Sequence, residues 1–175
     1  GMCLVTSSNN LLLLFESIEL ITVSFYVMTA YIRTDAKSIE AGLKYLVLGA
    51  LSTGFLLYGM SFIFGATGSI YINIITNYFH ENSISQIALL GILLIFVGAA
   101  FKIASFPFQF WVPDVYEGAP TPVTAFLSVG SKAAGIAILV RLIMITLPEF
   151  EQKWQCILAV LSTITLFYGN LGAIP

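Results

Sequence analysis

The sequence predicts an all-α bundle that spans a membrane with about five helices, one of them broken near Pro107. Three observations carry this. Of 175 residues, 58% are hydrophobic and 9% charged, against about 25% charged in soluble domains. Mean hydropathy is +0.96, and five stretches each supply about 20 apolar residues, the length a helix needs to cross hydrocarbon. A proline interrupts the third stretch, where it removes a backbone hydrogen bond and clashes with the preceding turn. The net charge of −2 leaves no basic patch for nucleic acid. Cys3 and Cys156 lie far apart in apolar surroundings, with no CxxC and no Cys/His cluster. They read as two buried, inert thiols rather than as ligands of a metal or an iron–sulfur cluster.

The elements follow in order. The chain opens Gly1-Met2-Cys3-Leu4-Val5 and stops at Asn170-Leu171-Gly172-Ala173-Ile174-Pro175 inside an apolar stretch, with no basic region or cleavage site near its start. It reads as an internal piece of something longer, its first residues the tail of a preceding helix. The first spanning segment covers 11–32, entered through Asn9 and Asn10, which suit an N-cap. A polar loop, 33–37, leads to the second segment, 39–64, closed by Gly65-Ala66-Thr67-Gly68. Residues 69–86 mix Tyr71, Tyr78 and Phe79 with Asn73, Asn77, His80 and Glu81, a composition for the membrane–water interface. The third segment runs 87–106 to Pro107 and resumes as a half-helix over 108–112. The fourth covers 121–147, a polar turn carries Glu149, Glu151 and Lys153, and the fifth covers 154–175. Arg33 and Lys37 place the first loop on the cytoplasmic side, with Arg141 and Lys153 opposite.

A few ionisable groups sit deep in these runs. A charge at mid-bilayer costs roughly 3 kcal/mol on insertion scales, so such groups face one another or water and mark ion or proton paths by default. Glu19 is central in the first segment, and Glu16 shares its helix face three residues earlier. Glu16, nearer the helix start, either reaches water or stands protonated beside an ionised Glu19. Lys102 lies five residues before Pro107. Broken backbone at membrane depth is tolerated only inside protein or beside water, so break and lysine support each other. Moving a carboxylate toward or away from a buried lysine switches it between holding and releasing a proton; a static lysine bonded to freed carbonyls is the plainer reading. Lys132 follows the small residues Ser128, Gly130 and Ser131, which let helices or water approach closely. Lys44, six residues inside its segment, reads equally as path residue or as an anchor reaching the headgroups. Asp114 and Glu117 read as solvated loop residues. His80 is the single histidine, so no histidine relay is available.

At these residues a resemblance enters. Phe101-Lys102-Ile103, followed by Pro107-Phe108-Gln109-Phe110-Trp111-Val112-Pro113-Asp114-Val115-Tyr116-Glu117-Gly118-Ala119-Pro120-Thr121-Pro122-Val123-Thr124-Ala125-Phe126, closely resembles the subunit N family of NADH-quinone oxidoreductase, the respiratory complex I. Mitochondrial subunit 2 and a plastid subunit belong to the same family. Ser128-Val129-Gly130-Ser131-Lys132, Glu40-Ala41-Gly42-Leu43-Lys44-Tyr45 and Glu19-Leu20 match at the expected places, so the resemblance covers essentially the whole chain.

The resemblance implies an antiporter-like subunit of about fourteen helices in two inverted repeats. This chain would run from the end of the fourth helix into the ninth, all of it part of a single proton-conducting membrane domain. It implies that Glu19 on the fifth helix pairs with Lys102 on the broken seventh. Lys132 is then the eighth-helix lysine and Lys44 the sixth-helix one, together forming a proton path. The subunit would pump protons without redox chemistry of its own. Flavin, iron–sulfur clusters and quinone are expected in partner subunits, beside neighbouring antiporter-like subunits, in a bacterial inner membrane, with the mitochondrial inner and thylakoid membranes as the alternatives. Two positions depart from the family: Gln109 replaces a usual histidine, and Glu16 a usual uncharged residue. A multisubunit cation/proton antiporter is the alternative of the same fold, although Val115-Tyr116-Glu117-Gly118 favours subunit N. A structural membrane spacer is the alternative of another class, disfavoured because inert buried ion pairs carry a desolvation cost.

Overall fold

The computed structural model describes residues 1–146 and 151–172, with side chains over 1–142 and 155–172. A short α1 (Met2–Ser7) turns into α2 (Leu11–Thr29), then α3 (Ala36–Thr67), α4 (Ile72–Glu81), α5 (Gln86–Ile103), α6 (Val112–Gly118) and α7 (Thr121–Phe126). A π-helical turn (Leu127–Ser131) joins α7 to α8 (Lys132–Thr146), and α9 (Glu151–Gly172) closes the described chain. Among the described residues, five helical stretches are long and apolar enough to cross a membrane: Leu11–Thr29, Ala36–Thr67, Gln86–Ile103, Thr121–Leu142 and Gln155–Gly172. They answer one for one to the five expected segments. The expected turn residue Glu149 lies outside the described residues.

Local chemistry sets the ends. The Asn10 carboxamide oxygen accepts the Leu12 amide at 2.8 Å, Asp35 accepts that of Lys37 at 3.0 Å and Ser85 that of Ala88 at 3.2 Å. Each side chain satisfies one of the amide donors that a helix start leaves unpaired. Gly68, at φ 69°, ends α3 in the left-handed conformation that favours glycine. The expected interfacial stretch forms α4, which buries Ile72, Ile75 and Phe79 and exposes Asn77 and His80.

The antiparallel α3–α5 pair is the largest interhelical contact. Glycine makes it possible: a Cβ on Gly59 would lie 2.6 Å from the Gly91 carbonyl oxygen, and one on Gly91 2.8 Å from that of Gly59. Two backbones that nearly touch gain the van der Waals contact on which association in lipid depends. One apolar cluster gathers Leu14, Ile18, Leu56, Met60, Ile95 and Ala99. A second, richer in aromatic rings, gathers Phe25, Tyr26, Tyr45, Phe101, Trp111 and Leu127. Along α2 and α3, polar residues (Thr22; Ser52 and Thr53) fall between the two clusters.

The third segment breaks where its proline predicts, with regular i→i−4 bonding expected to be lost over about 104–108 and lost from Ala104 onward. α5 ends at Ile103, where Ala104 turns to φ 60°. The Ser105 amide bonds the Ala100 carbonyl at 2.9 Å and the Ala104 amide that of Phe101 at 3.0 Å. This is a Schellman closure with alanine at the position where glycine is usual. The Phe106–Pro107 peptide is cis. Thr165 of α9 accepts the Phe106 amide at 3.0 Å, and the Trp111 indole donates to the Phe101 carbonyl at 3.2 Å, so side chains satisfy backbone groups that the break frees. The half-helix expected over 108–112 is instead a run of turns, and helix resumes as α6. Pro113 stands in its first turn, where a missing amide costs nothing.

The two thiols differ from expectation: Cys3 and Cys156 are both exposed, because the faces of α1 and α9 that carry them pack against no described neighbour.

Candidate functional site

Lys102 occupies the last turn of α5 and is 6% exposed. Its ammonium donates to Thr22 Oγ1 on α2 at 2.9 Å and reaches Thr53 Oγ1 on α3 at 3.5 Å. The Thr53 hydroxyl donates to Glu19 Oε1 at 2.8 Å. Three helices thus bring Lys102 and Glu19 together across one hydroxyl. A direct contact pair was the expectation; among the described residues Lys102 makes no ion pair, and Thr53 stands in the gap. Glu19 is half-buried. With Thr53 it also lines an open groove of about 550 Å³ whose other walls include Val23, Val27, Leu43 and Leu46.

Thr22 and Thr53 are absent from the sequence-based set. A threonine inside a membrane helix usually bonds its own i−4 carbonyl, as Thr22 does with Ile18 at 2.7 Å, and so carries no distinctive signal. One signal was available: Thr22 follows Glu19 by three residues, which puts both on one face of α2.

Lys132 opens α8 directly after the π-helical turn. It is half-buried, with its Nζ 5.4 Å from the centre of the Tyr116 ring, a cation–π distance. The Tyr116 hydroxyl is buried with no hydrogen-bond partner among the described residues, and burial pushes this phenol above the usual tyrosine range. α8 meets α5 at Gly135, where a Cβ would lie 2.6 Å from Ile103 and 3.5 Å from Lys102 Cβ. Gly135 is one helical turn beyond Lys132, so this close approach draws the two lysine-bearing helices together. A π-helical turn is rare and is found mostly at functional positions; no sequence signal marked it.

The remaining residues fall elsewhere. Lys44 is held outside this set, by Asp114 at 2.6 Å and Glu40 at 2.8 Å. Lys37 pairs with Glu117 at 2.6 Å. Asp114 and Glu117, expected to be free in solvent, are therefore exposed ion-pair partners that tie α6 to α3. Glu16 is exposed on α2. Gln109, in the turns after Pro107, has a buried Oε1 with no hydrogen-bond partner among the described residues. Arg141 donates to the carbonyls of Val5 and Ser8, at the end of α2 opposite Arg33 and Lys37.

Comparison with known proteins gives this arrangement a family. Residues 8–175 match the family described as NADH:quinone oxidoreductase/Mrp antiporter, TM. The chain is similar to NADH-quinone oxidoreductase subunit N of Moorella thermoacetica, 45% identical over 100% of this chain and 37% of that protein. It is similar in structure to a chain of respiratory complex I from Thermus thermophilus with bound aureothin, with TM-score 0.80 and 36% identity over 99% of this chain and 36% of that one. It shares its fold with a chain of the Mrp complex from Dietzia sp. DQ12-45-1b, with TM-score 0.84 and 21% identity over 94% of this chain and 31% of that one. The chain spans a little over a third of the length of the relatives it matches. It is a multi-pass membrane protein, and it belongs to the NADH:quinone oxidoreductase/Mrp antiporter transmembrane family.

Proposed function

We propose that this chain is part of the subunit N of a proton-translocating NADH (or NAD(P)H):quinone oxidoreductase, and that it moves protons through Glu19, Lys102 and Lys132. The carrying observation is a buried lysine at a helix break that touches hydroxyls and no carboxylate. An inert structural lysine would be expected in a direct ion pair, because burial without one disfavours the charged form. Lys102 instead sits where a small helix movement changes its distance to Glu19. Two opposite charges about 4 Å apart attract by about 4 kcal/mol at an effective dielectric of 20, and by much less one helical turn farther away. Drawing Glu19 away frees the Lys102 proton to pass toward Lys132 across the α5–α8 contact at Gly135.

The redox steps, with flavin, iron–sulfur clusters and quinone, belong in this reading to partner subunits, and quinone chemistry there drives the helix movement. Identity of 36% to 45% with subunit N and complex I chains supports this over a cation/proton antiporter, for which the likeness is one of fold. The bacterial inner membrane is the assigned location, in keeping with bacterial relatives. Lys44, with both near partners carboxylates, is left off the path, and Glu16 has no role in it.

The test is Glu19→Ala and Lys102→Ala in the assembled complex. Each lowers proton pumping and the coupled quinone reduction together, by about tenfold or more, with subunit content unchanged. Either variant pumping at the wild-type rate removes that residue from the path.

A further inference from the structure

Thr22 and Thr53 both touch Lys102, and only one of them can pass a proton. Thr22 accepts from Lys102, but its own hydroxyl proton is committed to the Ile18 carbonyl at 2.7 Å. A peptide carbonyl does not take up a proton under ordinary conditions, so Thr22 is a dead end. Thr53 also faces Lys102, at 3.5 Å, but its hydroxyl proton points at Glu19 Oε1, 2.8 Å away. It is 9% exposed, and no described group other than these two competes for its hydroxyl.

We infer that Thr53 is the proton relay between Glu19 and Lys102, a residue that no sequence pattern marks. The inference rests on the proposed Glu19–Lys102 path. The step balances without a co-reactant. Protonated Glu19 gives its proton to Thr53 Oγ1 as the Thr53 hydroxyl proton moves onto the neutral amine of Lys102. One O–H bond breaks at Glu19 and one forms at Thr53; a second O–H breaks at Thr53 and an N–H forms at Lys102. The products are a Glu19 carboxylate, an intact hydroxyl now donating to it, and a Lys102 ammonium donating to the hydroxyl oxygen. The contacts of that product state are the 2.8 Å and 3.5 Å contacts of the structure. Rotation of the hydroxyl about its C–O bond resets the relay. The 3.5 Å leg is longer than the usual reach of a charge-assisted bond, so transfer waits for α5 and α3 to close it.

The experiment uses the assembled quinone-reducing complex carrying Thr53→Val, Thr53→Ser or Glu19→Gln. Proton pumping and donor-driven quinone reduction are measured in H₂O and D₂O. Thr53→Val keeps the shape and loses the hydroxyl; both rates fall by about tenfold, and the solvent isotope effect on turnover rises as proton transfer becomes limiting. Thr53→Ser restores rate and isotope effect to within about twofold of wild type. A packing role would not raise the isotope effect. Thr53→Val at the wild-type rate overturns the relay, as does Thr53→Ser failing equally. If Thr53→Val does not assemble, Thr53→Ala replaces it, and wild-type pumping there overturns the relay in the same way. Glu19→Gln separates the two levels: when it pumps normally the path itself fails, and when it is impaired while Thr53→Val is not, only the relay fails.

Discussion

Two clusters in this molecule combine lysine with carboxylate and hold their charges in opposite ways. Around Lys37, Lys44, Glu40, Asp114 and Glu117, every lysine touches a carboxylate at 2.6 to 2.8 Å, and the side chains are 43% to 70% exposed. Around Lys102 the lysine is almost wholly buried, yet its contacts are two threonine hydroxyls, and the carboxylate stands one hydroxyl away. If charge pairing alone set the arrangement, the order would be reversed, since attraction counts for most where water is excluded. The buried site gives up the pairing that would fix its proton, and the exposed site, screened by water, fixes geometry between α3 and α6. A buried lysine short of its carboxylate is ready to change state; an exposed lysine with two carboxylates is not.

The comparison breaks first at Lys102 itself. Lys102→Arg keeps the positive charge and the donors but removes the ability to release a proton at accessible pH. Assembled complex with this variant is expected to lose pumping as fully as Lys102→Ala, measured as the proton-to-electron ratio in vesicles or membranes. A wild-type ratio would mean that Lys102 acts as a fixed charge, and the two clusters would then differ only in burial.

The next test converts the inner cluster to the outer kind. Thr22→Asp places a carboxylate where the Lys102 ammonium now meets a hydroxyl. An added attraction of about 4 kcal/mol at an effective dielectric of 20 corresponds to about a thousandfold shift toward the ammonium form. Pumping is expected to fall by about tenfold or more with assembly retained, while Thr22→Asn, equal in shape and neutral, falls much less. Equal losses in the two variants would assign the effect to lost packing and not to a fixed proton.

Sequence patterns reveal one side of this comparison better than the other. Five helices are legible because each run has the length and polarity that hydrocarbon demands, and Asn10 and Gly68 mark ends by chemistry that works locally. That a break follows Lys102 is legible from Pro107. Its start near Ala104 is legible from the same proline; the left-handed closure there is not, because alanine stands in a conformation normally signalled by glycine. The π-helical turn before Lys132 adds one residue to a continuous apolar run and leaves the hydrophobic pattern undisturbed. Lys44 carried a local clue to its pairing in Glu40, four residues earlier on the same helix face. Lys102 had no such neighbour: Thr22 and Thr53 come from helices distant in sequence, and contacts of that kind are set by how three helices pack. The exposure of Cys3 and Cys156 follows the same rule, since a thiol in an apolar run is buried only where another helix covers it.

The smallest effect is expected at the outer cluster, and it decides whether Lys44 belongs to the path. Lys44→Gln removes a cation held by Glu40 and Asp114, and Asp114→Asn removes one of its partners while leaving the other. Exposed ion pairs contribute little because water screens the attraction and two long side chains lose freedom in forming them. Each variant is therefore expected to pump within about twofold of wild type, and any difference should shrink further as ionic strength rises. The double variant should lose no more than Lys44→Gln alone if the pair only positions α6, because the second substitution removes a contact already broken. Lys44→Gln losing pumping as completely as Lys102→Arg, with Asp114→Asn harmless and salt without effect, would make Lys44 a proton carrier. The exposed cluster would then be part of the conduit, and pairing with carboxylates would no longer distinguish a lysine that holds its proton from one that gives it up.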